Sequence, residues 1–164
     1  MPIPQFAQGL CLKLIILMAG LLFASTAIGD SGLDLGPAPE LADHGHDVVI
    51  SQDGYFNTID VAQNGHGHHT DSRQYGWWNG TDVSQHGTGN SAHIYQDGSY
   101  NEILVSQAGS HNLADISQTG DDNFASVDQH GHNNLAHVTQ IGAGLSVIVT
   151  QHGDNNTAQV LQHH

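Results

Sequence analysis

Between residues 133 and 142 the chain reads NNLAHVTQIG, with Asn, Ala, Val, Gln and Gly at every second position. Eleven residues earlier it reads DNFASVDQHG, with the same five residue types in the same places. A period of two is the signature of a β-strand and not of a helix. Ala, Val and Gln then share one face, while His, Asp, Ser and Thr share the other. The inward face carries an anomaly, a polar amide where a strand normally buries hydrocarbon.

The anomaly is periodic along most of the chain. Gln stands at 52, 63, 74, 85, 96, 107, 118, 129, 140, 151 and 162, at an unbroken spacing of 11 (Gln52, Gln63, Gln74, Gln85, Gln96, Gln107, Gln118, Gln129, Gln140, Gln151, Gln162). Two residues after each of the first ten comes a glycine: Gly54, Gly65, Gly76, Gly87, Gly98, Gly109, Gly120, Gly131, Gly142 and Gly153. Five residues after Gln comes Asn (Asn57, Asn79, Asn90, Asn101, Asn112, Asn123, Asn134, Asn156), with His68 and Leu145 as the exceptions. Val or Ile stands nine after Gln in every unit but one, where Ser72 replaces it. The unit is therefore Gln-x-Gly-x-x-Asn-x-Ala-x-Val-x. Its x-Gly-x-x segment reads as the turn, because Gly accepts positive φ and Asn, Asp and Gly suit tight turns. Each unit is one strand and one turn, and two units make a coil of 22 residues.

Stacked coils would explain the buried amide. Residues 22 apart would lie about 4.8 Å above one another, so each inward Gln or Asn meets its own kind and can donate to one rung and accept from the other. Inward Val and Ala supply a dry seam between two sheets about 10 Å apart. The predicted fold is all-β, a flat two-sheet β-solenoid over residues 47–164, with ten units giving five coils and a height of about 24 Å. No capping element is evident, so both ends are expected to present unpaired strands shaped like the next coil. Head-to-tail addition follows from such edges.

The first 29 residues are a different object. LIILMAGLLF (14–23) is an apolar run preceded by Lys13 and followed by small residues, which reads as a secretory signal peptide with cleavage after Ala27 or Gly29. Ten apolar residues are too few to span a bilayer, so no membrane anchor is expected. Cys11 precedes the apolar run and would leave with it, and the mature chain would contain no cysteine. Residues 30–46 form a Pro/Gly/acidic linker. Only Arg73 would balance 16 acidic residues in the mature chain, a net of 1 − 16 = −15 with neutral His. Such acidity argues against nucleic acid and anionic membrane surfaces as partners.

The units SQTGDDNFASVDQ and SQAGSHNLADISQ resemble the curlin repeat, whose core is Gln-x-Gly-x-x-Asn-x-Ala closing on another Gln. The resemblance covers about residues 46–162. It implies an extracellular amyloid fibre subunit that polymerises with itself and serves adhesion and biofilm matrix. It also implies a second curlin subunit and an outer-membrane secretion pore with accessory factors as partners. The linker would correspond to the family's secretion-targeting segment, although that segment is usually Gly/Asn-rich and this one is Pro/acidic. Asn in almost every unit is similar to the minor, nucleating subunit, but the basic C-terminal unit often seen there is absent. Major and minor subunit both stay open.

Candidate chemistry beyond assembly is sparse. No nucleophile, base and orienting group stand together, and no phosphate loop is present, so an enzyme is not expected and no cofactor is called for. His44 and His46 in HGHD, and His66, His68 and His69 in HGHH, carry imidazoles that can bind divalent metal, and stacking would bring His130 and His152 into adjacent rungs. The alternative is that these are solvated turn residues, and no metal site is assigned. A regular Thr array, the mark of ice binding, is missing. Trp77 and Trp78 fall in a turn and are expected to be exposed. They suit either a carbohydrate or surface contact of a soluble secreted adhesin, or a weak coil that delays assembly, since Thr70 and Ser72 replace the inward apolar pair just before them.

Charge offers one further expectation. On one outward face, positions 22 apart read Asp71, His93, Asp115, His137. Protonating the 14 His, as free imidazoles do near pH 6.5, would bring the net charge close to zero and give this column alternating signs. His93 and His137 are therefore candidate pH sensors, with assembly expected to quicken as pH falls from about 7.5 to about 6.

Overall fold

The computed structural model describes residues 11–18, 23–27 and 45–164. The leader's cleavage site and the linker up to His44 lie outside the described residues. Two strands precede the repeats, β1 (Cys11–Met18) and β2 (Phe23–Ala27). Eleven repeat strands follow: β3 (Asp47–Tyr55), β4 (Asn57–His66), β5 (His69–Trp77), β6 (Gly80–Thr88), β7 (Ser91–Ser99), β8 (Glu102–Ser110), β9 (Leu113–Asp121), β10 (Phe124–His132), β11 (Leu135–Ala143), β12 (Ser146–His152) and β13 (Thr157–His163). There is no helix among the described residues.

Consecutive repeat strands alternate between two parallel sheets. One runs β4-β6-β8-β10-β12 and the other β3-β5-β7-β9-β11-β13, giving a two-sheet β-solenoid. Neighbouring strands pair at an offset of 22 throughout, as in Gln107↔Gln129 and Val105↔Val127. The predicted faces hold. Ala114, Ile116 and Gln118 of β9 are buried, and the residues between them point outward. The core is a narrow seam of inward aliphatic residues from Val48 to Val149, with Val147, Ala158 and Val160 packed against it.

The opposed sheets are offset by half a rung. Gln74 of β5 donates both to the Thr58 carbonyl of β4 (3.0 Å) and to Thr81 Oγ1 of β6 (3.1 Å), the two rungs that bracket it.

Three expectations change. The repeat makes five and a half coils, not five, because the segment leading to Gln52 is itself a strand. The turn is also displaced: the unit glycines from Gly54 to Gly142 lie inside the strands, with φ of 104° to 141°, and Gly153 follows the end of β12. The left-handed turn residue is instead the one just before each ladder Asn or the His or Leu in its place, as at Phe56, Trp78, Tyr100, His111, Asp122, Asn133 and Asn155, and at Gly45, Gly67, Gly89 and Gly144. Its φ lies between 55° and 68° at every rung. The glycine is required by crowding: a methyl group on Gly98 would overlap the carbonyl oxygen of Gly120 in the next rung. Finally, the edge before the first coil is not bare in this chain. β1 pairs antiparallel with β4, and β2 pairs antiparallel with β3. Among the described residues no strand pairs with the outer edge of β12 or β13.

Candidate self-assembly site

The amide ladders run the length of both sheets. In one, each Gln Nε2 donates to Oε1 of the Gln 22 residues on: Gln52 to Gln74, Gln74 to Gln96, Gln96 to Gln118, Gln118 to Gln140 and Gln140 to Gln162, at 2.8–3.0 Å. In the other, Gln63 donates to Gln85, Gln85 to Gln107, Gln107 to Gln129 and Gln129 to Gln151, all at 2.8 Å. The second N–H of the amide reaches a strand-start carbonyl of the opposite sheet, as from Gln85 to His69 (3.1 Å) and from Gln151 to Leu135 (3.0 Å). A buried primary amide therefore uses both donors, and its cost of desolvation is offset along the stack. The spacing predicted the first bond. The second depends on the half-rung offset and has no signature in the repeat.

The ladder Asn residues do different work at the two sharp corners. Asn101 Nδ2 donates to the Gly120 carbonyl at 2.7 Å, and its Oδ1 accepts the backbone N–H of Asn123 at 3.1 Å. Asn90, Asn112 and Asn134 repeat this bracket at the other corner. Asn57, Asn79 and Asn123 extend the first column, and Asn156 accompanies the second through its backbone N–H to Asn134 Oδ1 at 3.0 Å. Each Asn thus closes backbone groups that the tight turn would orphan. At Leu145 the backbone N–H still reaches Asn123 Oδ1 at 3.0 Å, but the side chain passes nothing on.

His68 takes the place of an Asn. It is fully buried, its Nδ1 accepts the Asn90 N–H at 3.2 Å, and its Nε2 lies 3.1 Å from the Asn64 carbonyl. His46 stands one rung below with its ring stacked on that of His68, centroids 5.1 Å apart. Burial, reinforced by the nearby imidazoles of His86 and His66, pushes the His68 pKa down. His68 and His46 are therefore structural stand-ins for the ladder amide, which removes both from the metal candidates. Among the others, His69 Nδ1 meets Asp47 Oδ2 at 3.0 Å, and His130 stacks on His152 at 5.2 Å. Among the described residues no three His, Cys, Asp or Glu side chains come together as a metal site.

The inward hydroxyls near the first coils differ from one another. Thr70 and Thr81 bond to Gln85 and Gln96 of the facing sheet, at 3.2 and 3.0 Å. Ser72, stacked between Ile50 and Ile94, is fully buried and its Oγ has no partner. Just beyond it, Phe56, Trp78 and Tyr100 form an exposed column at one corner. The Phe56 and Trp78 rings stack at 4.4 Å, and those of Trp78 and Tyr100 at 6.3 Å. Trp77 lies beside them, edge-on to Tyr55. The ring faces of the column are turned to one another along the stack, unlike the open platform that a sugar ring stacks on.

The outward charge column has the expected register, Asp71↔His93↔Asp115↔His137. His137 Nδ1 lies 3.2 Å from Asp115 Oδ2. His93 Nε2 meets Ser91 Oγ at 3.3 Å, while Asp71 is held by Arg73 at 2.6 Å.

The family model of the curlin associated repeat matches residues 79–109, 94–120, 109–142 and 120–153. No curated protein and no solved structure shows significant similarity to the chain.

Proposed function

The chain belongs to the curlin family, and from that premise we propose that it is a secreted structural subunit that stacks head to tail into an extracellular, curli-type amyloid fibre. Adhesion and biofilm matrix are the roles of such a fibre. The observation that carries the reading is the open edge at β12 and β13. There Val147, Ala158 and Val160 are only partly covered, whereas their counterparts one rung in, Ala125, Ala136 and Val138, are fully buried. An interrupted dry seam beside unpaired backbone groups is a template for another strand pair.

Export through a dedicated outer-membrane pore and contact with a second curlin subunit belong to the same proposal and rest on the family alone. A soluble secreted binding module is the second reading, favoured by the exposed Trp77 and Trp78. Residues 30–164, purified and held at micromolar concentration, decide between them. The fibre reading expects conversion to β-rich fibres, and monomers that persist in sedimentation would establish the binding module instead.

A further inference from the structure

The two edges of the solenoid are not related by simple translation. Among the described residues the repeat strands number eleven, so the first (β3) and the last (β13) lie in the same sheet. Because opposed strands are offset by half a rung, β13 stands half a rung above β12, and β3 half a rung below β4. A second copy added in the same orientation would seat its β3 on β13. Its β4 would then stand two rungs above β12, leaving a strand-wide gap in that sheet. A dry gap of that size beside the seam forfeits a full row of backbone hydrogen bonds.

Resting on the fibre reading above, we propose that successive subunits are related by a half-turn about the fibre axis, so that β3 of the incoming copy seats on β12 and its β4 on β13. Both sheets then continue without a gap, each passing from one face of a subunit to the opposite face of the next. Three observations at the edges fit this pairing. Gln63 Oε1 is buried and has no partner among the described residues, and the half-turn sets it over Gln162 of the neighbouring copy, whose Nε2 would donate to it as Gln140 does to Gln162. Ile148 and Leu161, 71% and 61% exposed, would meet Val49 and Ala62 of the incoming copy; unrotated stacking would put Ser51 over Leu161 and leave Ile148 facing the gap. His152 would meet Asp53, an opposite-charge pair once the imidazole is protonated.

The inference also bears on the leader. β1 and β2 occupy the very edge that the incoming copy must present, and they do so antiparallel. Loss of residues 1–29 frees that edge. Among the residues whose burial is described, the core runs from Val48 to Val160.

Disulfide trapping in fibres of residues 30–164 tests the geometry, since Cys11 is the only cysteine and is absent from that piece. Cα atoms one rung apart suit a disulfide. Ser51→Cys with Thr150→Cys is expected to convert most of the fibre protein into covalent multimers on mild oxidation. Ser51→Cys with Leu161→Cys is expected to give none. Multimers from the second pair, or from neither pair in fibres that do form, would overturn the half-turn. If the variants do not assemble, helical reconstruction of the unmodified fibre decides: a half-turn with a rise of about 26 Å per subunit is expected, and an unrotated repeat of about 29 Å overturns it. Absence of fibres from the unmodified protein would instead sink the fibre reading, and this inference with it.

Discussion

Gln107 Nε2 lies 2.8 Å from Gln129 Oε1 in the next rung, and it also donates to the Ser91 carbonyl of the facing sheet at 2.9 Å. One side chain thus ties together two rungs and two sheets. Replacing it by Ala strands the Gln85 amide that it accepted from and the Gln129 oxygen that it satisfied. Gln107→Ala is expected to cost about 2–4 kcal/mol and to slow seeded elongation, whereas Ser106→Ala on the outward face should cost about 0.5 kcal/mol or less. Seeded growth of the two variants side by side checks this, and equal rates would refute the assignment of faces.

Two glycines of positive φ should respond very differently to substitution. Gly98 (φ 130°) has no room for a methyl group beneath Gly120, so Gly98→Ala should block stacking at that rung and abolish fibre growth. Gly144 (φ 68°) is a corner residue with open space around it. Gly144→Asn should cost well under about 1 kcal/mol, because Asn tolerates the left-handed region. Thioflavin-type kinetics on both variants give the contrast.

Ser72 is a buried hydroxyl without a partner in a column of Ile50 and Ile94. Ser72→Val restores the aliphatic residue typical of the unit. A gain of about 1–2 kcal/mol and a shorter lag are expected, because an unsatisfied polar group is replaced by packed hydrocarbon. An unchanged lag would show that this coil does not limit assembly.

Acid weakens the fold through His68. Its pKa is lowered in the fold, chiefly by burial, so the unfolded chain takes up the proton first as pH falls. The stability present above about pH 6.5 is therefore lost below it. His68→Asn, which restores the repeat's usual residue, should make fibres less sensitive to dissolution in denaturant at pH about 5, with little change at pH about 7.5. Equal acid sensitivity in the variant and the parent would disprove the role.

How much of this is legible in the residues follows from the range of the forces involved. A period of two and a repeat of 11 residues are local properties, and in a parallel stack they dictate which side chains are buried and which meet 22 residues on. The Gln-to-Gln ladder, the inward Ala and Val, and the Asp71–His93–Asp115–His137 column therefore follow from the residues alone. The backbone between the units does not. Gly98 reads as a turn residue from its type, yet it lies within a strand and is forced by the Gly120 carbonyl above it. The true corner residue varies from Phe56 to Trp78 to Asp122, so no consensus marks it. His68 looks like a surface ligand in HGHH and is a buried amide substitute, because position in the coil outweighs residue type. The half-rung offset that lets Gln74 reach both β4 and β6, and that makes an odd number of strands demand a half-turn, belongs to the closed three-dimensional path of the coil. Sequence determined the faces and the register because identical residues stack on themselves; only the tertiary structure decided the corners, the cross-sheet bonds and the shape of the two edges, because these arise from contacts between units that no single unit encodes.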